Sequence, residues 1–161
     1  SKIMMEDTST NLLIPRFFTV YGPYGRPDMS ILRFIHWIIE EKEVLVLGDG
    51  EQMRSFTYID DVVEALLLMM DYKESNTFNI GSNTTVSLNE VIKTIEKYSG
   101  KEANIKNEER AYKDPDVVRP NLENILNELN WKPTTNIEAG IEKTVSWYSE
   151  NKEFLNDIVY I

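Results

Sequence analysis

Apolar positions along this chain alternate between short continuous runs and runs with helical spacing. The segment Leu12–Tyr21 is almost wholly apolar, β-branched or aromatic, which predicts a parallel strand buried on both faces. From Ile31 to Ile39 the apolar positions recur every three or four residues. This spacing predicts a helix that is opened by Pro27 and ends near Glu41. The first part of the chain is therefore interpreted as a strand followed by a helix.

Two further helices have recognisable starts. Asp60 or Asp61 can cap a helix, whose buried face is predicted to consist of apolar residues at helical spacing: Val63, Leu66, Leu67 and Met70. Ser87 and Glu90 form a capping-box pattern, which predicts a helix that ends near Tyr98. Both helices present one apolar side and therefore require a surface to pack against.

The remaining elements are short. Strands are predicted at 44–47, 56–59, 77–81 and 103–105, and helices at 122–129 and 137–148. Residues 106–120 show no apolar period and carry two prolines, which predicts a loop. This alternation of strands and helices indicates an α/β fold rather than a helical bundle or a β-sandwich.

The composition excludes several classes of protein. The 161 residues suffice for one domain with a core. A formal net charge of −10 argues against nucleic acid, which is bound through clustered lysines and arginines. The chain has no cysteine and one histidine, His36, so thiolate and histidine metal clusters are excluded and we expect no metal site. No apolar run approaches the roughly 20 residues of a membrane helix, and no signal-peptide layout is present. We therefore expect a cytoplasmic protein that does not bind membranes.

Two segments, Arg16–Met29 and Gly48–Asp61, carry the most specific pattern in the chain. In the first, an apolar strand runs into a turn and Arg26 stands seven residues after Thr19. Together the segments resemble the nucleotide-sugar epimerases and dehydratases of the extended short-chain dehydrogenase superfamily. Within this NAD-dependent epimerase/dehydratase family they look most like the UDP-glucuronate 4-epimerase branch. The resemblance covers residues 2 to about 148.

The resemblance implies only part of the family's fold. The sequence has no Gly-x-Gly-x-x-Gly segment to hold a pyrophosphate at a helix start. The family's NAD would thus be bound mainly by an N-terminal Rossmann-like half that this sequence does not contain. We expect residues 1–26 to be a remnant of that NAD(P)-binding domain and its parallel sheet, and residues 27–161 to form a mixed α/β substrate-binding lobe. The resemblance also implies a homodimer for the intact protein.

The same resemblance assigns residues to the cofactor side of the site. Lys2 matches the lysine of the family's Tyr-x-x-x-Lys motif, in which the lysine holds the cofactor ribose and lowers the pKa of the catalytic tyrosine. It is the expected catalytic and cofactor-binding residue, although by itself it reads as an ordinary terminal lysine. Phe17 is expected near the nicotinamide ring.

Other residues are assigned to the substrate. In the uronic-acid epimerases, the threonine and the arginine that match Thr19 and Arg26 bind the sugar carboxylate. Arg54 and Arg119 match arginines that contact the nucleotide diphosphate, a geometry suited to charge-assisted hydrogen bonds. Arg33 could reach the nucleotide or be an ordinary exposed helical arginine.

The sequence therefore predicts the substrate-binding part of an NAD-dependent nucleotide-sugar 4-epimerase, with UDP-glucuronate as the expected substrate. In that reaction the C4 hydroxyl is oxidised, the keto sugar rotates, and it is reduced on its other face. Alternatives are a fragment of a UDP-glucose 4-epimerase or of a nucleotide-sugar dehydratase or decarboxylase, and a non-catalytic module that binds sugar nucleotides. This chain alone is expected to be inactive.

Overall fold

Eight strands and six helices alternate through residues 11–109 and 115–155, the part of the chain that the computed structural model describes. The strands are β1 Leu13–Phe17, β2 Thr19–Tyr21, β3 Glu43–Leu47, β4 Met53–Tyr58, β5 Asn76–Ile80, β6 Thr85–Ser87, β7 Asn104–Glu108 and β8 Val117–Val118. The helices are α1 Ser30–Ile39, α2 Ile59–Met70, α3 Leu88–Ser99, α4 Glu123–Leu129, α5 Ile137–Glu150 and α6 Lys152–Leu155.

The predicted strand Leu12–Tyr21 is divided into two strands that belong to different sheets. β1 pairs in parallel with β5, whereas β2 pairs in parallel with β4. Phe18 lies at the crossing, and its N–H donates to the carbonyl oxygen of Ile80 at 3.0 Å. The prediction of one continuous strand is wrong here because an unbroken apolar run does not reveal which neighbour each half pairs with.

Strand β4 is the centre of the sheet that concerns function. It pairs in parallel with β2 and β8 and antiparallel with β6, while β3 and β7 form a separate parallel pair. The predicted loop at 106–120 is wrong at residues 106–108 and at Val117–Val118, which belong to strands. β7 is exposed along its whole length, so its backbone pairing with β3 leaves no apolar alternation in the sequence.

The buried apolar side chains form two clusters. The larger lies among α1, α3, α5 and the strands β2, β3 and β4, and the smaller lies among β5, α2, α4 and Trp131, with Leu13 and Val20 packed against it. The smaller cluster takes residues from both sides of residue 26. The predicted division at that residue stays a prediction.

Helix α2 buries a different face from the one predicted. Val62, Ala65 and Met69 point into the smaller cluster, whereas Leu67 and Met70 are 59% and 74% exposed. The segment is apolar nearly all round the helix and therefore offers two series at helical spacing. The prediction chose the series that this structure leaves in solvent.

The ends of the helices show which local signals are reliable. Ser87 and Glu90 make both hydrogen bonds of the predicted capping box, and Gly100 ends α3 in the left-handed region with φ 68°. α1 begins at Ser30 rather than at Pro27, and α2 has no side-chain cap at its N-terminus. No helix in the described ranges is long and apolar enough to cross a membrane.

Candidate functional site

Two of the predicted substrate residues project from the same side of one sheet. Thr19 of β2 is paired with Phe56 of β4, and side chains alternate along β4, so Arg54 and Phe56 share a face with Thr19. Thr19 is half-buried at the start of β2. This register places a hydroxyl and a guanidinium on neighbouring strands, where one ligand could contact both.

The pairing of β4 with β8 brings the backbone of Arg119 next to that of Arg54. Arg54 lies opposite Val118, and Arg119 follows directly as an exposed residue. The Nη1 of Arg54 donates to the carbonyl oxygens of Met53 at 2.8 Å and Asp116 at 3.4 Å, which ties its guanidinium to the base of the same loop. Two cationic side chains at adjoining positions can bind a diphosphate with charge-assisted hydrogen bonds.

The cofactor-side residues are described only in part. Phe17 ends β1, and half of its side chain is exposed, so its ring can be reached by a flat ligand. Lys2 lies outside the described residues. Its expected roles in catalysis and cofactor binding stay predictions.

Arg26 lies in the loop between β2 and α1 and is paired with Asp28. Its Nε donates to Oδ1 of Asp28 at 3.0 Å and its Nη2 donates to Oδ2 at 2.5 Å. Both side chains are largely exposed. Among the described residues no hydrogen bond joins Arg26 to Thr19. The predicted residues therefore fall into two groups: a strand group of Thr19 and Arg54, and a loop group that contains Arg26 and Asp28.

Arg33 belongs to the loop group because its charge acts on Asp28. The hydrogen bond from Arg26 lowers the pKa of the Asp28 carboxyl below its usual range, and the charges of Arg26 and Arg33 lower it further. The guanidinium of Arg33 lies 4.9 Å from the centre of the Trp37 ring. Burial lowers the pKa of Arg33, and an arginine that stacks on an aromatic ring stays oriented. The prediction left Arg33 open between a ligand role and an ordinary exposed arginine, and it is half-buried.

A separate cavity of about 220 Å³ lies on the β6 side of β4. Its described lining combines apolar residues with neutral hydroxyl and amide side chains: Phe56, Ser82, Asn83, Thr84, Val86, Pro133, Thr134, Thr135, Asn136 and Ile137. An anion such as phosphate or carboxylate would find no cationic side chain among these residues. The predicted arginines therefore do not belong to this cavity.

Sequence reasoning missed Asp28 and the neutral cavity. The Arg-Pro-Asp spacing could have revealed Asp28, since a residue two positions on in a turn lies within reach of the guanidinium. The cavity has no local signal, because residues 82–84 and 133–137 meet only in the folded chain. No cluster of metal-ligating side chains occurs within the described residues.

The fold and the sequence are both similar to known proteins. The family model of the NAD dependent epimerase/dehydratase family matches residues 2–81. The UDP-glucuronate 4-epimerase of Thermodesulfobacterium geofontis is 39% identical over 149 residues, which cover 92% of this chain and 46% of that protein. The chain thus spans about half the length of the curated relatives it matches.

Solved structures give the same result. The UDP-glucuronic acid 4-epimerase of Bacillus cereus, in complex with UDP-glucuronic acid and NAD, superimposes with a TM-score of 0.84 at 30% identity, over 92% of this chain and 48% of that chain. The UDP-glucose 4-epimerase of Thermotoga maritima with UDP-glucose gives a TM-score of 0.85 at 25% identity, over 94% and 50%. These matches confirm the predicted α/β fold of the extended short-chain dehydrogenases, and this chain belongs to the NAD-dependent epimerase/dehydratase family.

Proposed function

We propose that this chain is the substrate-binding part of an NAD-dependent nucleotide-sugar 4-epimerase that acts on UDP-glucuronate. The observation that carries the proposal is the common face of Thr19 and Arg54, with Arg119 adjoining Arg54 through β8. A sugar nucleotide lying along this face meets the hydroxyl of Thr19 at one end and the guanidinium of Arg54 at the other, with Arg119 in the adjoining segment. Relatives that carry the name UDP-glucuronate 4-epimerase, in a bacterium and in a plant, support this choice of substrate.

Within this proposal each residue has a separate task. Arg54 and Arg119 bind the diphosphate, and Arg33, held by Trp37 on the helix after the Arg26 loop, reaches the nucleotide from the loop group. Thr19 and Arg26 bind the sugar carboxylate. Because the keto sugar must rotate before it is reduced, contacts at the carboxylate hold the substrate in the site while its ring turns over.

The cofactor proposed for the whole protein is NAD, which when bound supplies the hydride acceptor and donor for C4. The exposed ring of Phe17 at the end of β1 fits the flat face of a nicotinamide. Lys2 would hold the ribose and support a tyrosine base. The dinucleotide fold itself would come from a Rossmann-like half in addition to the residues described.

The surface of this chain supports such an additional half. Among the described strands β1 pairs only with β5, and α2 leaves Leu67 and Met70 in solvent. Exposed apolar patches of this kind are typical of surfaces that another part of a protein covers. We propose that the Rossmann-like half covers this side, with residues 1–26 as its remnant and 27–161 as the substrate lobe, and that the intact protein is a homodimer.

UDP-glucose is the second candidate substrate, because the UDP-glucose 4-epimerase structure superimposes equally well. Arg26 separates the two candidates, since glucose at this position offers no carboxylate. A dehydratase or decarboxylase and a non-catalytic binding module are the remaining alternatives.

Calorimetry with UDP-glucuronate and UDP-glucose tests this assignment. We expect Arg26→Ala to weaken the binding of UDP-glucuronate about tenfold, the loss of one charge-assisted pair, and to leave UDP-glucose unchanged. Arg54→Ala is the matched comparison, because the loss of a diphosphate contact should weaken both ligands equally. An equal loss of both ligands in Arg26→Ala rejects carboxylate recognition.

A further inference from the structure

The guanidinium of Arg26 presents two edges to its surroundings, and Asp28 engages one of them. A guanidinium has five N–H donors in one plane. Asp28 accepts from Nε at 3.0 Å and from Nη2 at 2.5 Å, which is the side edge. The end edge, formed by Nη1 and the second hydrogen of Nη2, points away from Asp28 and has the spacing to receive another carboxylate.

The backbone of the loop fixes both partners of this pair. The N–H of Met29 donates to the carbonyl oxygen of Arg26 at 3.1 Å, and the N–H of Gly25 donates to the carbonyl oxygen of Gly22 at 3.2 Å. Asp28 therefore stands in a turn closed around it, two residues from Arg26. The loop leads directly from Tyr21, the last residue of β2, to α1.

Charge also distinguishes this pair from an isolated surface ion pair. Exposed pairs contribute little, except where the geometry is bidentate or several charges form a network. Here the pair is bidentate, and Arg33 places a second guanidinium charge on Asp28.

We propose that Asp28 is a positioning residue that holds Arg26 side-on, so that the end edge of the guanidinium receives the carboxylate of the sugar. This inference rests on the proposed function, in which Arg26 binds that carboxylate. Asp28 does not touch the ligand in this arrangement. It selects for the uronate over the neutral sugar by removing rotamer freedom from Arg26 before the ligand arrives.

The test is the ratio of affinities for UDP-glucuronate and UDP-glucose, measured by calorimetry on this chain. Asp28→Asn leaves Arg26 without its carboxylate partner, so we expect about a tenfold weaker affinity for UDP-glucuronate, the scale of one arginine's rotamer freedom. UDP-glucose should bind as before. The proposal is overturned if the ratio of affinities does not change in Asp28→Asn. It is also overturned if the variant binds UDP-glucuronate more tightly, because Asp28 would then compete with the ligand for Arg26.

Two controls separate positioning from simple charge effects. Asp71→Asn removes one negative charge at the exposed end of α2 and should leave the ratio unchanged. In an Arg26→Ala background, Asp28→Asn should cause no further loss, because the residue acts only through Arg26. A further loss of affinity for UDP-glucuronate in the double variant would contradict an action of Asp28 through Arg26.

A measurement made without ligand tests the Arg26–Asp28 pair by itself, so that it does not depend on the proposed function. In nitrogen-detected NMR the Nε–H of Arg26 should exchange with water more slowly in the wild type than in Asp28→Asn. Equal exchange rates overturn the pairing whatever the ligand. A wild-type chain that shows slow exchange but no preference for UDP-glucuronate rejects the proposed function and leaves the pair itself established.

Discussion

Asp61 is a buried carboxylate that connects the start of α2 to the segment before α5. Its oxygens accept hydrogen bonds from the backbone N–H and the hydroxyl of Thr134, at 3.2 and 3.0 Å, and from the N–H of Thr135, at 3.1 Å. The side chain is only 3% exposed. A buried carboxylate needs such partners, because without them its desolvation would not be compensated.

We expect Asp61→Ala to lower the free energy of unfolding by about 3 kcal/mol, since it removes all three hydrogen bonds that the buried carboxylate accepts from Thr134 and Thr135. Asp60→Ala is the matched control, because Asp60 is the exposed neighbour in the same helical turn. Urea denaturation of both variants measures the difference. Equal losses would show that the helix dipole, which both aspartates share, outweighs the three hydrogen bonds.

His36 has a partner at each of its two ring nitrogens. Its Nδ1 lies 2.7 Å from the hydroxyl oxygen of Tyr148, and its Nε2 lies 2.9 Å from Nζ of Lys42. Because an ammonium only donates, Nε2 accepts from Lys42, and Nδ1–H donates to Tyr148. Burial lowers the pKa of His36, and the charge of Lys42 lowers it further, while Glu40 opposes and Lys152 reinforces that effect.

We expect acidification below about pH 6.5, the ordinary histidine pKa, to destabilise the folded chain through this residue. The unfolded state takes up the proton first, so stability falls with falling pH until the lowered folded pKa is also passed. His36→Gln should flatten this part of the curve of unfolding free energy against pH. An unchanged slope in the variant would assign the effect to other groups.

At the residue scale, sequence reasoning succeeded where the signal was local. The capping box of Ser87 and Glu90 was predicted and is confirmed. The partners of Asp61 and of His36 were not predicted, because Thr134 and Tyr148 lie 73 and 112 residues further along the chain. Contacts at that distance leave no pattern in one sequence.

Helix α2 shows the corresponding limit at the scale of an element. Its start was nearly predictable, but its buried face was not, because a helix that is apolar nearly all round offers two possible buried sides. The division into β1 and β2 could not be predicted either, since an apolar run does not indicate that one half pairs with β5 and the other with β4. The choice in each case depends on the rest of the fold.

We expect Met69→Ala to destabilise this chain by about 3 kcal/mol and Leu67→Ala by less than about 0.5 kcal/mol, because only Met69 leaves a cavity. Thermal or urea unfolding of the two variants measures both values. Both positions lie inside the same helix, and leucine and methionine have similar helix propensities, so the replacement by alanine changes helix propensity about equally in the two variants. A larger loss in Leu67→Ala would show that the face described as exposed is covered in solution.

For the whole molecule, the proposed function divides the active site between two parts of a protein. In this proposal the chain supplies cations for the diphosphate and for the carboxylate, although its net charge is −10. The proposed anionic substrate would therefore be recognised locally, against the field of the molecule as a whole. The expected cytoplasmic location stays a prediction.

We expect this 161-residue chain alone to show no epimerisation of UDP-glucuronate, because neither a dinucleotide-binding loop nor the motif tyrosine is in its sequence. An assay by chromatography with added NAD measures this directly. Binding of UDP-glucuronate without turnover is the expected outcome. Measurable turnover would show that the chemistry needs only the residues of this chain.

The pairing of strands has a consequence for the rate at which this chain folds. β1 and β5, β3 and β7, and β4 and β8 each join residues about sixty positions apart. Domains dominated by such distant pairings fold slowly, because the entropy of closing long loops must be overcome before the contacts form. Arg54 and Arg119 meet only when β8 adds to β4. During refolding, a diphosphate should therefore bind only after most of the secondary structure has appeared.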